Sequence, residues 1–134
     1  MSEGNKNVVR RYYEEVWSQG RLDEVDALVA PTVVVNGNSL TPEKVRQAIG
    51  GGRASFPDQK YALQDVIAEG DLVAVRWTWE GTQTGEFHGK APSGTHVTYT
   101  GMGFFRIASD KIVEHWSNID QLGLLQQLGL VTQS

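Results

Sequence analysis

The sequence changes its pattern of apolar residues near Pro57, and this change constrains the fold more than any other feature. Before it, residues 5–17 carry apolar side chains at spacings of three and four, which is one stripe of an amphipathic helix. Beyond it, apolar and polar residues alternate, as they do in half-buried strands. The change predicts an α+β fold in which helices come first and a mostly antiparallel sheet follows.

Two more helices and a short strand are predicted before the change. Residues 21–30 carry a second apolar stripe, which Pro31 ends. The valine-rich run at residues 32–36 is too short and too β-branched for a helix and predicts a strand. The next helix has Thr41 as its N-cap and Pro42 at its first position, and we expect it to end at the glycines of residues 50–52.

Long strands are predicted after Pro57, with a two-residue turn at residues 70–71 and a Gly/Pro/Ser loop before the third strand. They comprise residues 61–69, 72–82, 96–107 and a last strand that begins at Lys111. In the second strand, Val73, Val75, Trp77 and Trp79 share one face. We expect a curved sheet whose one face is covered by helices, with a pocket between them and a short helix at residues 121–129 bordering it.

Composition restricts the function. A chain of 134 residues suits a single domain spanning residues 1–134. A net charge of −4 with scattered basic residues disfavours nucleic acid as a partner. No apolar run approaches the ~20 residues of a membrane span, and the N-terminus has no apolar signal core, so a cytoplasmic location is expected.

The sequence contains no recognisable metal or cofactor motif. The three histidines have no metal-ligand spacing, and there is no cysteine to serve as a thiolate ligand or nucleophile. The glycines at residues 50–52 match neither a P-loop nor a dinucleotide-binding fingerprint, and no G-x-S-x-G elbow exists. The sequence therefore predicts no metal and no cofactor.

The last strand holds the most suggestive polar group. In ideal alternation Ile112, Glu114, Trp116, Asn118 and Asp120 share one face, so Trp116 and Asp120 look the same way. An aspartate beside aromatic surface loses hydration, which makes it a better base near neutral pH. Asp120 also suits the N-cap of the final helix, and the spacing alone leaves both roles open.

The chain resembles the SnoaL-like polyketide cyclase, or ester cyclase, family. The resemblance runs from about residue 5 to residue 130 and rests on "YYEEVW", the "FPD" turn at residues 56–58 and the "EHWSNID" ending. It implies the nuclear transport factor two-like cone, in which a curved sheet and N-terminal helices enclose a pocket. It also implies cofactor-independent aldol-type cyclase or isomerase chemistry, with Asp120 as the general acid/base acting on an enolisable, largely apolar small molecule.

Further site residues follow from this expectation. Asn36 and Asn118 are candidates to hold an enolate oxygen, because amides donate hydrogen bonds without competing for the proton. The candidates for substrate contacts are the aromatic residues Trp116, Trp77, Trp79, Tyr99, Tyr13 and Phe56. The family often has an Asp-His pair where this chain has Val35 and Asn36, and a polar residue near Gly101 to Gly103, so Asp120 has fewer companions here.

Two other functions stay open on the same fold. One is an epoxide-hydrolase-like enzyme, which would need a charged cluster around a water molecule. The other is a protein that binds a small ligand without turning it over. The resemblance further implies a homodimer or higher homo-oligomer formed through the sheet, for which the face with Arg76, Thr78 and His115 is a candidate.

Overall fold

Helical segments come first in the chain. The structure is a computed structural model that describes residues 2–131, so Met1 and residues 132–134 of the predicted domain lie outside the described residues. The α-helices are α1 (Ser2–Arg11), α2 (Val25–Leu28), α3 (Pro42–Ser55) and α4 (Gln121–Gln127). A π-helical segment, Tyr12–Ser18, continues α1, and a 3-10 turn, Leu22–Glu24, precedes α2. The helix predicted over residues 21–30 is therefore shorter than expected, because Val29 already enters the sheet.

Helix α3 begins as predicted and ends later. The Thr41 side chain accepts a hydrogen bond from the Lys44 backbone N–H at 3.3 Å, which confirms the N-cap. The prediction that residues 50–52 end the helix is wrong, although each glycine costs about 1 kcal/mol there relative to alanine. Tertiary contacts offset this cost: Arg53 donates to the Trp17 carbonyl at 2.7 Å, and Ser55 Oγ donates to the Glu86 carbonyl at 2.6 Å.

The sheet has six strands. They are β1 (Val29–Val35), β2 (Asn38–Leu40), β3 (Lys60–Glu69), β4 (Leu72–Thr82), β5 (His96–Ala108) and β6 (Lys111–Ile119). Their order across the sheet is β2-β1-β6-β5-β4-β3, with β1 parallel to β6 and every other neighbouring pair antiparallel. The α+β prediction and the four long strands are confirmed, whereas β2 was not predicted.

A β-bulge in β6 changes which residues face the helices. Ile112 pairs with Ile107, but Glu114 pairs with Arg106, so Val113 is an extra residue in this strand. Beyond the bulge, His115 faces inward with the buried side of the sheet. The ideal alternation, which placed Ile112 with Glu114 and Trp116, is therefore wrong at this point, and so is the placement of His115 on an outer interface face.

The core lies between the helices and the inner face of the sheet. Val9 and Val16 from the N-terminal helical segments and Ile49 from α3 are completely buried. They pack in one cluster with the predicted inner residues of β4, from Val73 to Trp79. None of the helices within residues 2–131 is long and apolar enough to cross a membrane.

Candidate active site

A cavity of about 250 Å³ lies between the inner face of the sheet and the helices. Its lining residues are Tyr13, Trp17, Gly52, Phe56, Gln59, Tyr61, Trp77, Trp79, Phe87, Tyr99, His115, Ser117, Ile119 and Leu124. This volume is slightly below the ~300 Å³ at which ligand pockets in proteins start, so the cavity suits only a small ligand. The predicted cavity between helices and sheet is thereby confirmed.

Aromatic rings dominate the wall and contact one another. The Trp79 and Tyr99 rings are stacked with centroids 4.5 Å apart, and Tyr61 meets Trp77 edge-on at 4.8 Å. Phe56 packs edge-on against Trp79 at 5.0 Å and against Phe87 at 5.3 Å. Such edge-on and offset contacts are favourable, and the wall presents ring faces and edges to a ligand.

No side chain with a full charge lines this cavity, as far as residues 2–131 are concerned. The polar groups come from tyrosine hydroxyls, tryptophan N–H groups, Gln59, Ser117 and His115. Gln59 is buried and its Oε1 accepts from the indole N–H of Trp79 at 3.2 Å, which fixes both side chains. The cavity therefore favours a neutral ligand, because a buried ion would have no counter-charge.

His115 is the titratable imidazole of the cavity. Its ring stacks on Phe105 at 4.1 Å with an interplanar angle of 12°, and Tyr12 meets it edge-on at 6.0 Å. Burial lowers the pKa of His115 to about 4, because the charged form loses hydration. The imidazole is therefore neutral at physiological pH, and its enclosed Nε2 has no hydrogen-bond partner within the part of the chain that the structure describes.

Tyr13 enters the cavity from the π-helical segment. Within this segment Tyr12, Tyr13 and Val16 are all buried. Burial raises the pKa of Tyr13 far above its ordinary value, with a smaller contribution from Tyr12, so its hydroxyl keeps its proton. The enclosed hydroxyl of Tyr13 and the indole N–H of Trp77 also have no hydrogen-bond partner. Single π-turns frequently occur at functional sites, and this one brings a tyrosine into the pocket wall.

Comparison with known proteins gives the family. Residues 7–128 match the family described as SnoaL-like polyketide cyclase. The chain belongs to this family. Its structural relatives have the same nuclear transport factor two-like architecture, an open curved sheet with helices on its inner face, as the sequence predicted.

Three solved structures illustrate the similarity. IdmH, a candidate polyketide cyclase from Streptomyces antibioticus, shares 30% identity over 93% of this chain and 98% of its own, with a TM-score of 0.83. A candidate polyketide cyclase from Acidithiobacillus ferrooxidans shares 27% identity over 96% of both chains, with a TM-score of 0.87. AclR, a candidate hydroxylase from Streptomyces galilaeus, shares 27% over 99% of this chain and 89% of its own, with a TM-score of 0.87. No curated protein matches the chain.

Most of the aromatic residues predicted for substrate contact line the cavity of this SnoaL-like chain. They are Trp77, Trp79, Tyr99, Tyr13 and Phe56. The predicted place of Trp116 in the cavity wall is wrong. Its ring is 44% exposed on the outer face of the sheet, where Nε1 donates to Glu114 at 2.6 Å. The bulge in β6 accounts for the error, because it moves Trp116 to the face opposite Ile112.

Asp120 lies outside the cavity lining. It is the N-cap of α4, where its Oδ1 accepts from the backbone N–H of Gly123 at 3.0 Å. Its own N–H donates to the Thr100 carbonyl at 3.0 Å, and the residue is exposed. The expectation that its carboxylate opens into the pocket beside Trp116 is therefore wrong in position. Its catalytic role stays a prediction that activity measurements must test.

The two predicted amides also lie outside the cavity lining. Asn118 is exposed on the outer face, beside Trp116. Asn36 has a left-handed backbone with φ 49°, and its Oδ1 accepts from the Ser117 N–H at 2.9 Å while its N–H donates to the His115 carbonyl at 2.9 Å. Asn36 therefore holds the end of β1 to β6 where β6 carries the two inward polar residues.

The sequence interpretation missed several lining residues, and only some had a usable signal. His115 and Ser117 had no local signal, because only the pairing with β5 reveals the bulge that turns both inward. Trp17 and Tyr61 followed the predicted apolar stripes but were not assigned to the cavity. Phe87 comes from a loop and had no signal. Within residues 2–131 no group of three His, Cys, Asp or Glu side chains gathers in a way that could hold a metal ion.

Proposed function

We propose that this protein is a cyclase-type enzyme that performs acid/base chemistry on an enolisable, neutral and largely apolar small molecule in the aromatic cavity. We further propose that His115, rather than Asp120, supplies the base. The observation that carries the proposal is the buried, neutral imidazole in the wall of a cavity without charged side chains. Family membership supports the cyclase class, and the ring-lined wall supports an aromatic or polyketide-like substrate.

In the proposed mechanism, His115 removes one proton from the substrate and later returns it. The imidazole of His115 takes a proton from a carbon next to a carbonyl, and the C–H electron pair forms an enolate. The enolate carbon attacks a second carbonyl of the same molecule, which forms the ring C–C bond and an alkoxide. The imidazolium returns its proton to that alkoxide, so no oxidant or reductant is consumed. The low pKa of free His115 is no obstacle, because an adjacent enolate in a low-dielectric site stabilises the imidazolium.

The two alternatives have less support. A hydrolase that activates water with a charged Asp-Arg-Asp type of cluster would need charged side chains at the cavity, and none of the lining residues named above is charged. A ligand-binding protein without turnover would use the same aromatic wall. It would differ from an enzyme only in failing to move the proton, so the experiment must detect proton transfer.

Deuterium exchange provides that experiment. We would follow exchange at the C1 position of 2-tetralone, a neutral aromatic ketone, in D₂O by NMR with and without the protein. His115→Phe keeps an aromatic ring against Phe105 and is expected to lower catalysed exchange by about 10²- to 10⁴-fold, the usual worth of a positioned acid/base group. Asp120→Asn, the matched variant outside the cavity, is expected to keep wild-type exchange.

Each other result has a defined meaning. Loss of exchange in Asp120→Asn with normal exchange in His115→Phe would return the base role to Asp120 and refute the assignment to His115. A wild-type protein that binds 2-tetralone, 1-indanone and ethyl benzoylacetate but accelerates exchange in none of them would contradict the enzyme proposal and favour a ligand carrier.

We also propose that the outer face of the sheet pairs with a second copy of the chain. Ile67, Met102 and Trp116 are 66%, 61% and 44% exposed, and together with Phe104 they line one groove on this face. Exposed apolar clusters of this kind mark protein interfaces. Sedimentation velocity should show a dimer for the wild-type protein and a monomer for Met102→Glu. A wild-type protein that sediments as a monomer at micromolar concentration would contradict this part of the proposal.

A further inference from the structure

We propose that the Tyr13 hydroxyl and the Trp77 indole N–H together hold the oxygen of the ligand, and that the ligand class is neutral aromatic ketones and their enols. This inference rests on the proposed function and adds the groups that would stabilise the enolate. Both residues line the cavity. The argument begins with the space that these two side chains occupy.

Two glycines of β5 make room for them. A Cβ atom on Gly103 would lie 2.6 Å from the Tyr13 oxygen, closer than real Cβ contacts allow. A Cβ atom on Gly101 would collide with the six-membered ring of Trp77. Tyr13 and Trp77 therefore cover adjacent inward positions of one strand, and their ring centroids are 6.1 Å apart. Because glycine has no side chain, the Tyr13 and Trp77 side chains contact the backbone of β5 directly at these two positions.

The polar atoms of these two side chains, the Tyr13 hydroxyl oxygen and the Trp77 indole nitrogen, lack hydrogen-bond partners within residues 2–131. Both atoms are also enclosed. The indole N–H is near enough to the hydroxyl to lower its pKa slightly against the larger effect of burial, yet the two groups do not form a hydrogen bond of good geometry. Buried polar groups in native proteins are nearly always paired, so two neighbouring unpaired donors in one cavity wall indicate a partner that the described part of the chain does not supply.

Their chemistry defines the partner. An indole N–H can only donate, so the group that meets it must be an acceptor. The lining holds no cation that could balance a carboxylate or phosphate. A carbonyl or hydroxyl oxygen on a neutral aromatic skeleton satisfies both conditions. As the carbonyl becomes an enolate its oxygen gains negative charge, and two donors already in place bind that charge better than they bind the ground state.

The donors lie beside the proposed base. Tyr13 packs edge-on against Phe105 at 5.7 Å, and His115 stacks on the same ring at 4.1 Å. In the sheet, Gly103 pairs with Ser117 and Phe105 pairs with His115. The Tyr13 oxygen, which lies over Gly103, is therefore next to the inward position that His115 occupies. Both donor atoms are enclosed, so a ligand oxygen reaches them only when the rings that cover them move. This arrangement places a ligand oxygen and its α-carbon within reach of separate groups.

Binding of 2-naphthol tests the assignment without any reaction. Its oxygen and flat rings resemble the enol of 2-tetralone, and naphthalene has the same rings without the oxygen. By titration of tryptophan fluorescence or by calorimetry, Tyr13→Phe and Trp77→Phe should each weaken 2-naphthol binding by about threefold to tenfold more than they weaken naphthalene binding, the value of one hydrogen bond. Tyr12→Phe and Trp116→Phe are the matched controls, because neither residue lines the cavity.

Other outcomes overturn the assignment. Equal affinities of wild type and both donor variants for 2-naphthol would do so, as would an equal loss for 2-naphthol and naphthalene, which would indicate a change in cavity shape. Should a variant fail to fold, the wild-type protein suffices: the Trp77 indole N–H resonance must move downfield with 2-naphthol and not with naphthalene. An unmoved resonance at saturation refutes the role of Trp77.

Exchange kinetics separate this inference from the proposed function. In 2-tetralone exchange, loss of either donor should lower kcat by about 10²- to 10³-fold and change KM much less, as for removal of one oxyanion-hole donor. Donor-dependent 2-naphthol binding without any wild-type exchange would leave the donor pair standing while the enzyme proposal fails. If the wild-type protein catalyses exchange and Tyr13→Phe and Trp77→Phe do so equally well, the enzyme proposal stands and the donor pair is refuted.

Discussion

His115 should make the protein lose stability as the pH falls from 6.5 to 4. Burial lowers the pKa of its imidazole from 6.5 to about 4 in the folded chain. Between these values the unfolded chain takes up a proton that the folded chain does not, so the free energy of unfolding decreases as the pH decreases. Each pH unit of this interval is worth about 1.36 kcal/mol, and the whole interval is worth about 3 kcal/mol.

Urea unfolding at pH 7 and pH 4.5 measures this contribution. Most of it is present at pH 7, and about 2.5 kcal/mol should be lost at pH 4.5 because of His115 alone. His115→Phe keeps the stacking on Phe105 and removes the titration, so its loss between the two pH values should be smaller than the wild-type loss by that amount. His88→Asn is the control, because His88 is exposed and asparagine tolerates its φ of 49°. Equal losses in wild type and His115→Phe would refute the reasoning.

Three further predictions concern stability. Asp120→Ala should lower the free energy of unfolding by about 1 kcal/mol through loss of the cap on Gly123, whereas Asp120→Asn should change it by only a few tenths, as urea unfolding would show. Gly85→Ala should cost about 1 to 3 kcal/mol or more, since its Cβ would collide with the carbonyl of Ala54, and a thermal melt would reveal it. Gln83→Ala should cost about 1 to 3 kcal/mol and make the following loop sensitive to protease, because the two N–H groups of the buried Gln83 amide are shared among three loop carbonyls within 3.2 Å.

Local sequence patterns correctly predicted those elements whose structure depends mainly on residues close in the chain. Strand β4 alternates strictly, so its buried face could be predicted from the sequence, and Trp77 and Trp79 were correctly expected in the cavity wall. The N-cap Thr41 followed from residue chemistry alone. The end of α3 could not be predicted in this way. The glycines of residues 50–52 stay helical because Arg53 binds the carbonyl of Trp17, far away in the chain.

Whether the polar residues of the cavity could be predicted depended on the register of β6, which shifts by one residue at the bulge. In β6, one extra residue at Val113 sends His115 and Ser117 inward and Trp116 and Asn118 outward. A one-residue slip exchanges the two faces of a strand, so every assignment beyond the bulge changes together. No local pattern marks this bulge, since Ile112 and Trp116 have the same apolar character that a continuous face would have. Pairing with β5, a tertiary contact, decides it.

The composition of β5 explains how Trp77 and Tyr13 come to lie against the inner face of the sheet. Its central residues alternate in an unusual sense: Gly101 and Gly103 face inward while Met102 and Phe104 face outward. A strand with large inner side chains would fill the space beneath the helices by itself. Here the neighbouring elements fill it instead, Trp77 from β4 and Tyr13 from the π-helical segment, and each brings a polar tip that the bare strand cannot pair. The same two glycines thus make room for Trp77 and Tyr13 and leave their polar atoms without a partner from β5, while the outward methionine and phenylalanine give the opposite face its apolar surface.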